Sequence, residues 1–181
     1  VEWVTFLYVD RLPSPGRISH SSKTIDTPAG GGVVSALRIA NLLGANVDFF
    51  TSLGNDNLGQ KAYERLKGLG LNSHVAWRNN PTRRGVSFVS SEGERAITVI
   101  GERLQPKAKD KLPWEELKTF DGVFLTAADS EAIKKCREAK VLVATPRTGI
   151  KTLIESQVIL DALIGSGLDP DEKTTETELL K

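Results

Sequence analysis

From Val33 the apolar positions Val33, Ala36, Leu37, Ala40 and Leu43 recur at the spacing of one helical face, while Arg38 and Asn41 fall outside it. Gly44 stands where a left-handed C-terminal cap belongs. Val47 to Leu53 reads as the next strand and Gly54-Asn55-Asp56 as a turn. Leu58, Ala62 and Leu66 mark a second amphipathic helix, ended by Gly68 and Gly70. Upstream, Val1 to Val9 carries the β-branched and aromatic residues of a buried strand, which Pro13-Ser14-Pro15-Gly16 ends. Residues 17–27, with Ile18, His20 and Ile25 among serines and threonines, suit an exposed sheet.

Strand, helix, strand, helix in this order predicts right-handed crossovers and a parallel sheet. The rhythm then changes. Gly85 to Ser90 and Arg95 to Ile100 form a hairpin over the loop Ser91-Glu92-Gly93-Glu94. A second α/β stretch follows, with strands at Gly122 to Thr126, Val141 to Ala144 and Val158 to Ile164, and helical patterns at 130–139 and 148–155. The fold class is therefore α/β, a mainly parallel sheet flanked by helices with a small additional β-sheet.

The 181 residues suffice for one ordinary core, and 39% hydrophobic with 26% charged residues is the composition of a globular protein. With 24 Lys+Arg against 23 Asp+Glu, the net charge of +1 creates no field that would favour nucleic acid or a membrane surface. No apolar run approaches the ~20 residues of a membrane span, and no leader pattern opens the chain. Both point to the cytoplasm. Cys136 is the only cysteine, in a Lys/Glu-rich helical pattern, and reads as a buried structural thiol. His20 and His74 do not define a metal site, and Trp3, Trp77 and Trp114 read as packing. The chain has no methionine and begins inside a strand, so both ends read as cut. The polar run from Asp169 reads as a helix start or a frayed tail.

Pro28-Ala29-Gly30-Gly31-Gly32, leading straight into the first helix, is the most suggestive local feature. Glycines allow positive φ and close approach, and the free N–H groups of a helix start attract oxygen-rich molecules. A tight connection without a ligand is the plain alternative. The run lacks the spacing of a dinucleotide fingerprint, which puts a nicotinamide-dependent oxidoreductase last. No P-loop sequence occurs in the chain.

Each of these pieces is weak alone. In order, however, Pro13-x-Pro15-Gly16, Gly30-Gly31, Gly44-Ala45, Gly54-x-Asp56-x-x-Gly59, Pro81-Thr82-Arg83 and a Glu/Arg-rich hairpin resemble the N-terminal part of the ribokinase (PfkB) family of carbohydrate kinases. The resemblance implies an incomplete ribokinase-like domain over residues 1–181, with lid segments at about 17–27 and 84–100. It further implies phosphorylation of a sugar or polyol hydroxyl by ATP with Mg²⁺, and a homodimer formed through the lid. By the same token Gly30 and Gly31 contact the sugar, while Glu2 and Val4 stand where ribokinases have Asn-x-Asp. Ser35 stands where an Asn is usual.

Arg83, Arg84, Arg95 and Arg103 surround the hairpin. Solvated charges on an exposed sheet are the plain alternative to a substrate contact, for which Arg84 and Arg103 are the candidates. An inward arginine would grip a substrate carboxylate or phosphate in a bidentate fork, favouring an acidic or phosphorylated sugar. Ser166 and Asp169 stand at the spacing of an Asn-x-x-Glu pair that organises Mg²⁺ through water, with Glu172 a rival for the acidic role and a helix cap as the plain alternative. The family's second signature, a Gly-Ala-Gly-Asp-like loop with the catalytic base, does not occur in the sequence. The chain by itself is thus expected to have negligible kinase activity, and a non-catalytic sugar-binding or dimerisation module is the other reading.

Overall fold

The computed structural model describes residues 1–167, 169 and 172–174. Most of the polar run after Asp169, with Leu179 and Leu180, lies outside them. The chain divides into two compact units, Val1–Leu104 and Gln105–Lys181. Among the described residues, four of the six strand pairings are parallel. Helices accompany them, and one mixed sheet stands apart. The α/β class expected from the sequence is what the chain adopts.

Unit 1 holds a four-stranded sheet in the order β2-β1-β5-β6, built from β1 (Glu2–Val9), β2 (Ser21–Ala29), β5 (Arg84–Ser90) and β6 (Arg95–Ile100). β1 is antiparallel to β2 and parallel to β5, and β5 is antiparallel to β6. The hairpin forms as expected: the Ser90 N–H donates to the Glu94 carbonyl at 2.9 Å, and Gly93 takes a positive φ of 86°. One expectation changes. Residues Val1 to Val9 read as a buried strand, yet β1 is the centre of this mixed sheet, and only Val4 and Val9 along it are buried. Its β-branched residues favour a strand equally in either place, so composition cannot choose the sheet.

The rest of unit 1 is the parallel pair β3 (Asp48–Gly54) and β4 (Asn72–Arg78) with helices α1 (Gly31–Leu43) and α2 (Asn57–Gly68). The strand at 72–78 was not expected, because Asn72, Ser73 and His74 are weak strand formers; parallel pairing with β3 imposes it. Val33, Ala36, Leu66 and Leu71 form the buried core, with Leu37, Val47 and Phe49 against it. The apolar face of α1 is buried only in part. Leu43, which falls on the expected face, is 76% exposed. Gly44 caps α1 in the left-handed region at φ 62°, as read from the sequence.

Asp56 ties these elements together. It is the N-cap of α2, where one carboxylate oxygen accepts from the Gly59 N–H at 2.7 Å and from the Thr82 hydroxyl at 2.8 Å. The other accepts from the Thr82 N–H at 2.8 Å. The Thr82 hydroxyl in turn accepts from the Gly54 N–H at 3.1 Å. Glycine is required on both sides: a Cβ at Gly59 would lie 1.9 Å from the Gly54 carbonyl oxygen, and one at Gly54 would lie 2.4 Å from the Thr82 nitrogen. The sequence alone reads Gly54-Asn55-Asp56 as no more than a turn.

Unit 2 places β7 (Gly122–Leu125), β8 (Val141–Ala144) and β9 (Ala162–Leu163) side by side, all parallel. Helices α3 (Ser130–Cys136) and α4 (Ile150–Ser156) and a 3-10 helix, Trp114–Thr119, accompany them. β9 is shorter than the expected 158–164. Ala132, Ile133 and Leu142 are fully buried. Asp129 caps α3 through the Ala132 N–H, and Asp161 holds the Leu142 N–H at 2.7 Å and Arg137 at 2.6 Å. Cys136 is buried, which pushes its thiol up to about 12.

The Asp56 bonds carry a pH signature. Burial pushes its pKa up, but the hydrogen bonds from Gly59 and Thr82 outweigh this and hold the carboxyl below its ordinary value. The native state therefore favours the charged form. Its contribution is complete above the ordinary value of 3.8 and is lost as the pH falls through the folded value. Asp56→Ala should lower urea stability at pH 7 by about 1–3 kcal/mol, because it leaves buried donors unsatisfied. The difference between variant and parent should shrink towards pH 3. A constant difference across this range would refute the assignment.

Candidate functional site

The mouth of α1 opens beside Glu2. β2 ends at Ala29, whose strand partner is Glu2, and the chain turns into α1 through Gly30 at φ 105°. A Cβ at Gly30 would lie 4.0 Å from the Glu2 Cγ, whereas one at Gly31 would meet nothing within 4 Å. Gly31 thus borders open space at the helix start. Ser35 lies one turn further along α1 and is half-buried.

Glu2 is fixed by an arginine. Arg83 Nη1 lies 3.1 Å from Glu2 Oε1, with the Arg83 side chain 19% and the Glu2 side chain 23% exposed. The Arg83 backbone is anchored as well, since its carbonyl accepts from the Trp3 N–H at 2.9 Å. Its Nε is buried without a hydrogen-bond partner. The second Glu2 oxygen faces Gly85: a Cβ there would stand 3.7 Å from Oε2 and 3.1 Å from a Val4 methyl.

Among the expected substrate residues, Glu2 and Gly30 come together. Gly31 and Ser35 follow along α1. Arg103 is exposed. Arg84 is exposed, and its strand partners are Trp3 and Ile100, which puts it on the opposite face of the sheet from Glu2 and Gly85. The inward arginine is Arg83, one residue earlier. A finer reading of alternation could have found it: Gly85 must leave room on the Glu2 side, so Arg84 must point away.

In unit 2, Ser166, Asp169 and Glu172 are brought together beyond the carboxyl ends of β8 and β9. Asp169 N–H donates to the Ser166 carbonyl at 3.2 Å, and Glu172 N–H to the Asp169 carbonyl at 3.0 Å. The Ser166 N–H donates to Glu172 Oε2 at 2.6 Å. Arg147, in the 3-10 turn Pro146–Thr148 after β8, donates from Nε to Glu172 Oε1 at 3.0 Å and from Nη2 to Asp169 Oδ2. The bond to Glu172 raises the arginine's pKa further, against partial burial and with help from Asp169. Arg147 was not singled out in the sequence. Among the described residues no group of three or more His, Cys, Asp or Glu side chains could hold a metal ion. With a guanidinium already between them, Asp169 and Glu172 do not fit direct ligation of Mg²⁺.

The model of the pfkB family carbohydrate kinases matches residues 6–154, most of the chain. The chain belongs to this family of carbohydrate kinases. Among individual relatives, it is 30% identical over 103 residues to the ribokinase of Dictyostelium discoideum, an overlap of 55% of this chain and 31% of that protein. It shares the fold of the ribokinase of Thermotoga maritima, with a TM-score of 0.67 at 21% identity over 91% of this chain and 56% of that one. The Arabidopsis thaliana ribokinase complexed with ribose and ATP gives 0.64 at 20% identity, over 91% and 57%. The chain thus spans a third to a little over half of the length of these relatives.

The two glycines at the helix mouth should behave differently. Gly30→Ala forces a side chain into positive φ and should cost about 1–2 kcal/mol. Gly31→Ala has room and should leave the melting temperature unchanged or slightly raised. Thermal unfolding of both variants distinguishes them. Equal losses would mean that the open space beside Gly31 is misplaced.

Proposed function

We propose that this chain is the sugar-binding and lid portion of an ATP-dependent kinase that phosphorylates a hydroxyl group of a neutral sugar or related polyol. One observation carries the choice of substrate: Glu2, at the mouth of α1, has one oxygen held by Arg83 and the other towards Gly85. A carboxylate accepts hydrogen bonds only, so it suits hydroxyl donors and offers no donor to a substrate carboxylate or phosphate. The inward arginine would have favoured an anion, but its charge is answered by Glu2 from within the chain.

In this reading Glu2 accepts from a substrate hydroxyl. The N–H groups at the start of α1, around Gly30 and Gly31, receive substrate oxygens, Ser35 supplies a hydroxyl, and Arg103 stands at the rim. Arg84 has no part in it. The four-stranded sheet acts as the lid, excluding water so that the phosphoryl group passes to the sugar rather than to solvent. ATP, with Mg²⁺, supplies the phosphoryl group, and no residue of this chain is assigned to hold either. The chain alone has negligible kinase activity, which a coupled nucleotide-turnover assay with a sugar panel checks. The exposed Ile97, Val99 and Ile100 on the edge strand β6 suit a homodimer through the lid, and sedimentation equilibrium should return twice the chain mass.

A thermal-shift panel of neutral sugars and polyols, sugar acids and sugar phosphates tests the substrate class. A ligand at about a hundred times its Kd should add roughly 2.7 kcal/mol of stability. Stabilisation should come from neutral compounds, and Glu2→Ala should weaken it by about ten-fold or more, as loss of a charged hydrogen bond would. Stabilisation by acids or phosphates alone would overturn the reading.

A further inference from the structure

Among the described residues, the loop beyond β9 contains two carboxylates close enough to share one partner. Asp169 and Glu172 would repel each other if both were ionised and nothing lay between them, and a hard divalent cation held by carboxylate oxygens is the usual remedy. Here the remedy is a side chain of the protein. The Arg147 guanidinium reaches Glu172 Oε1 through Nε and Asp169 Oδ2 through Nη2, while Glu172 Oε2 takes the Ser166 N–H. Guanidinium is always charged, and its planar fork matches two acceptors at once.

We propose that Arg147 is the resident cation of this loop, standing where Asp169 and Glu172 would otherwise gather a divalent metal ion. The loop is then held closed by a guanidinium, independently of metal, and is insensitive to chelators. Arg147 leaves β8 through a turn that begins with Pro146, whose ring meets the space where a Gly165 Cβ would be, at 3.0 Å. The short segments after β8 and β9 are therefore packed together at the root of the ion pair. Any Mg²⁺ that accompanies a nucleotide would be carried by its phosphates and by groups other than these two carboxylates. The inference rests on the geometry of unit 2 and is separate from the choice of sugar.

Mn²⁺ titration of the 181-residue chain, with the free ion followed by electron paramagnetic resonance, tests it. The parent chain should take up no ion below about 1 mM. Arg147→Gln should bind one Mn²⁺ at least about ten-fold more tightly, and Arg147→Gln combined with Glu172→Gln should lose it again. Arg147→Lys retains the charge and should behave as the parent. Parent binding that Glu172→Gln abolishes would overturn the proposal. So would an Arg147→Gln variant that is folded by circular dichroism and gains no affinity. Should that variant fail to fold, ¹H–¹⁵N spectra of the parent decide. An Arg147 Nε–H resonance unmoved by about 10 mM Mg²⁺ supports the proposal, and a displaced one overturns it.

Discussion

The geometry of unit 1 hangs on the carboxylate of Asp56. Its bonds to the Gly59 and Thr82 N–H groups and to the Thr82 hydroxyl fix the start of α2 and the approach to β5, and that hydroxyl, accepting from the Gly54 N–H, adds the end of β3. Thr82 immediately precedes Arg83, so the same bonds that cap a helix also set the position from which Arg83 reaches Glu2. The candidate sugar contact is therefore the far end of a short relay. Asp56 holds Thr82, Thr82 delivers Arg83, and Arg83 holds Glu2. Two glycines permit the relay, because neither Gly54 nor Gly59 has room for a side chain.

Much of this was legible in the chain, and the parts that were not share a cause. α1, α2, the 85–100 hairpin and the strands β7 and β8 follow periodicity and turn chemistry, which are local. β4 is not local: Asn72, Ser73 and His74 become a strand because β3 lies beside them. The sheet to which β1 belongs is likewise a matter of partners, as is the exposure of Leu43. At the candidate site, the glycine run marks Gly30 and Gly31 and the family resemblance marks Glu2, and the fold brings Glu2 and Gly30 together. Choosing Arg83 over Arg84 needed the strand register, and Arg147 needed knowledge of which loops meet beyond β8 and β9.

Arginine plays one part in both units. Arg83 answers Glu2 in the first, and Arg147 answers Asp169 and Glu172 in the second. In each case a guanidinium that sequence reasoning would offer to a ligand, or leave unassigned, is bound to a carboxylate of the chain. The near balance of 24 basic and 23 acidic residues is therefore partly a record of internal pairing. It leaves selectivity to the shape and hydrogen-bond polarity of each site, and the long-range field contributes little.

Cys136 has a practical meaning. The chain carries a single thiol, and burial raises it to about 12, so at neutral pH it stays in the protonated, unreactive form. The native background is thus nearly silent towards alkylating reagents. A cysteine introduced at the mouth of α1 or on β6 could carry a spin or fluorescent label with no need to remove the natural one. These 181 residues therefore come with their own blank for site-directed labelling.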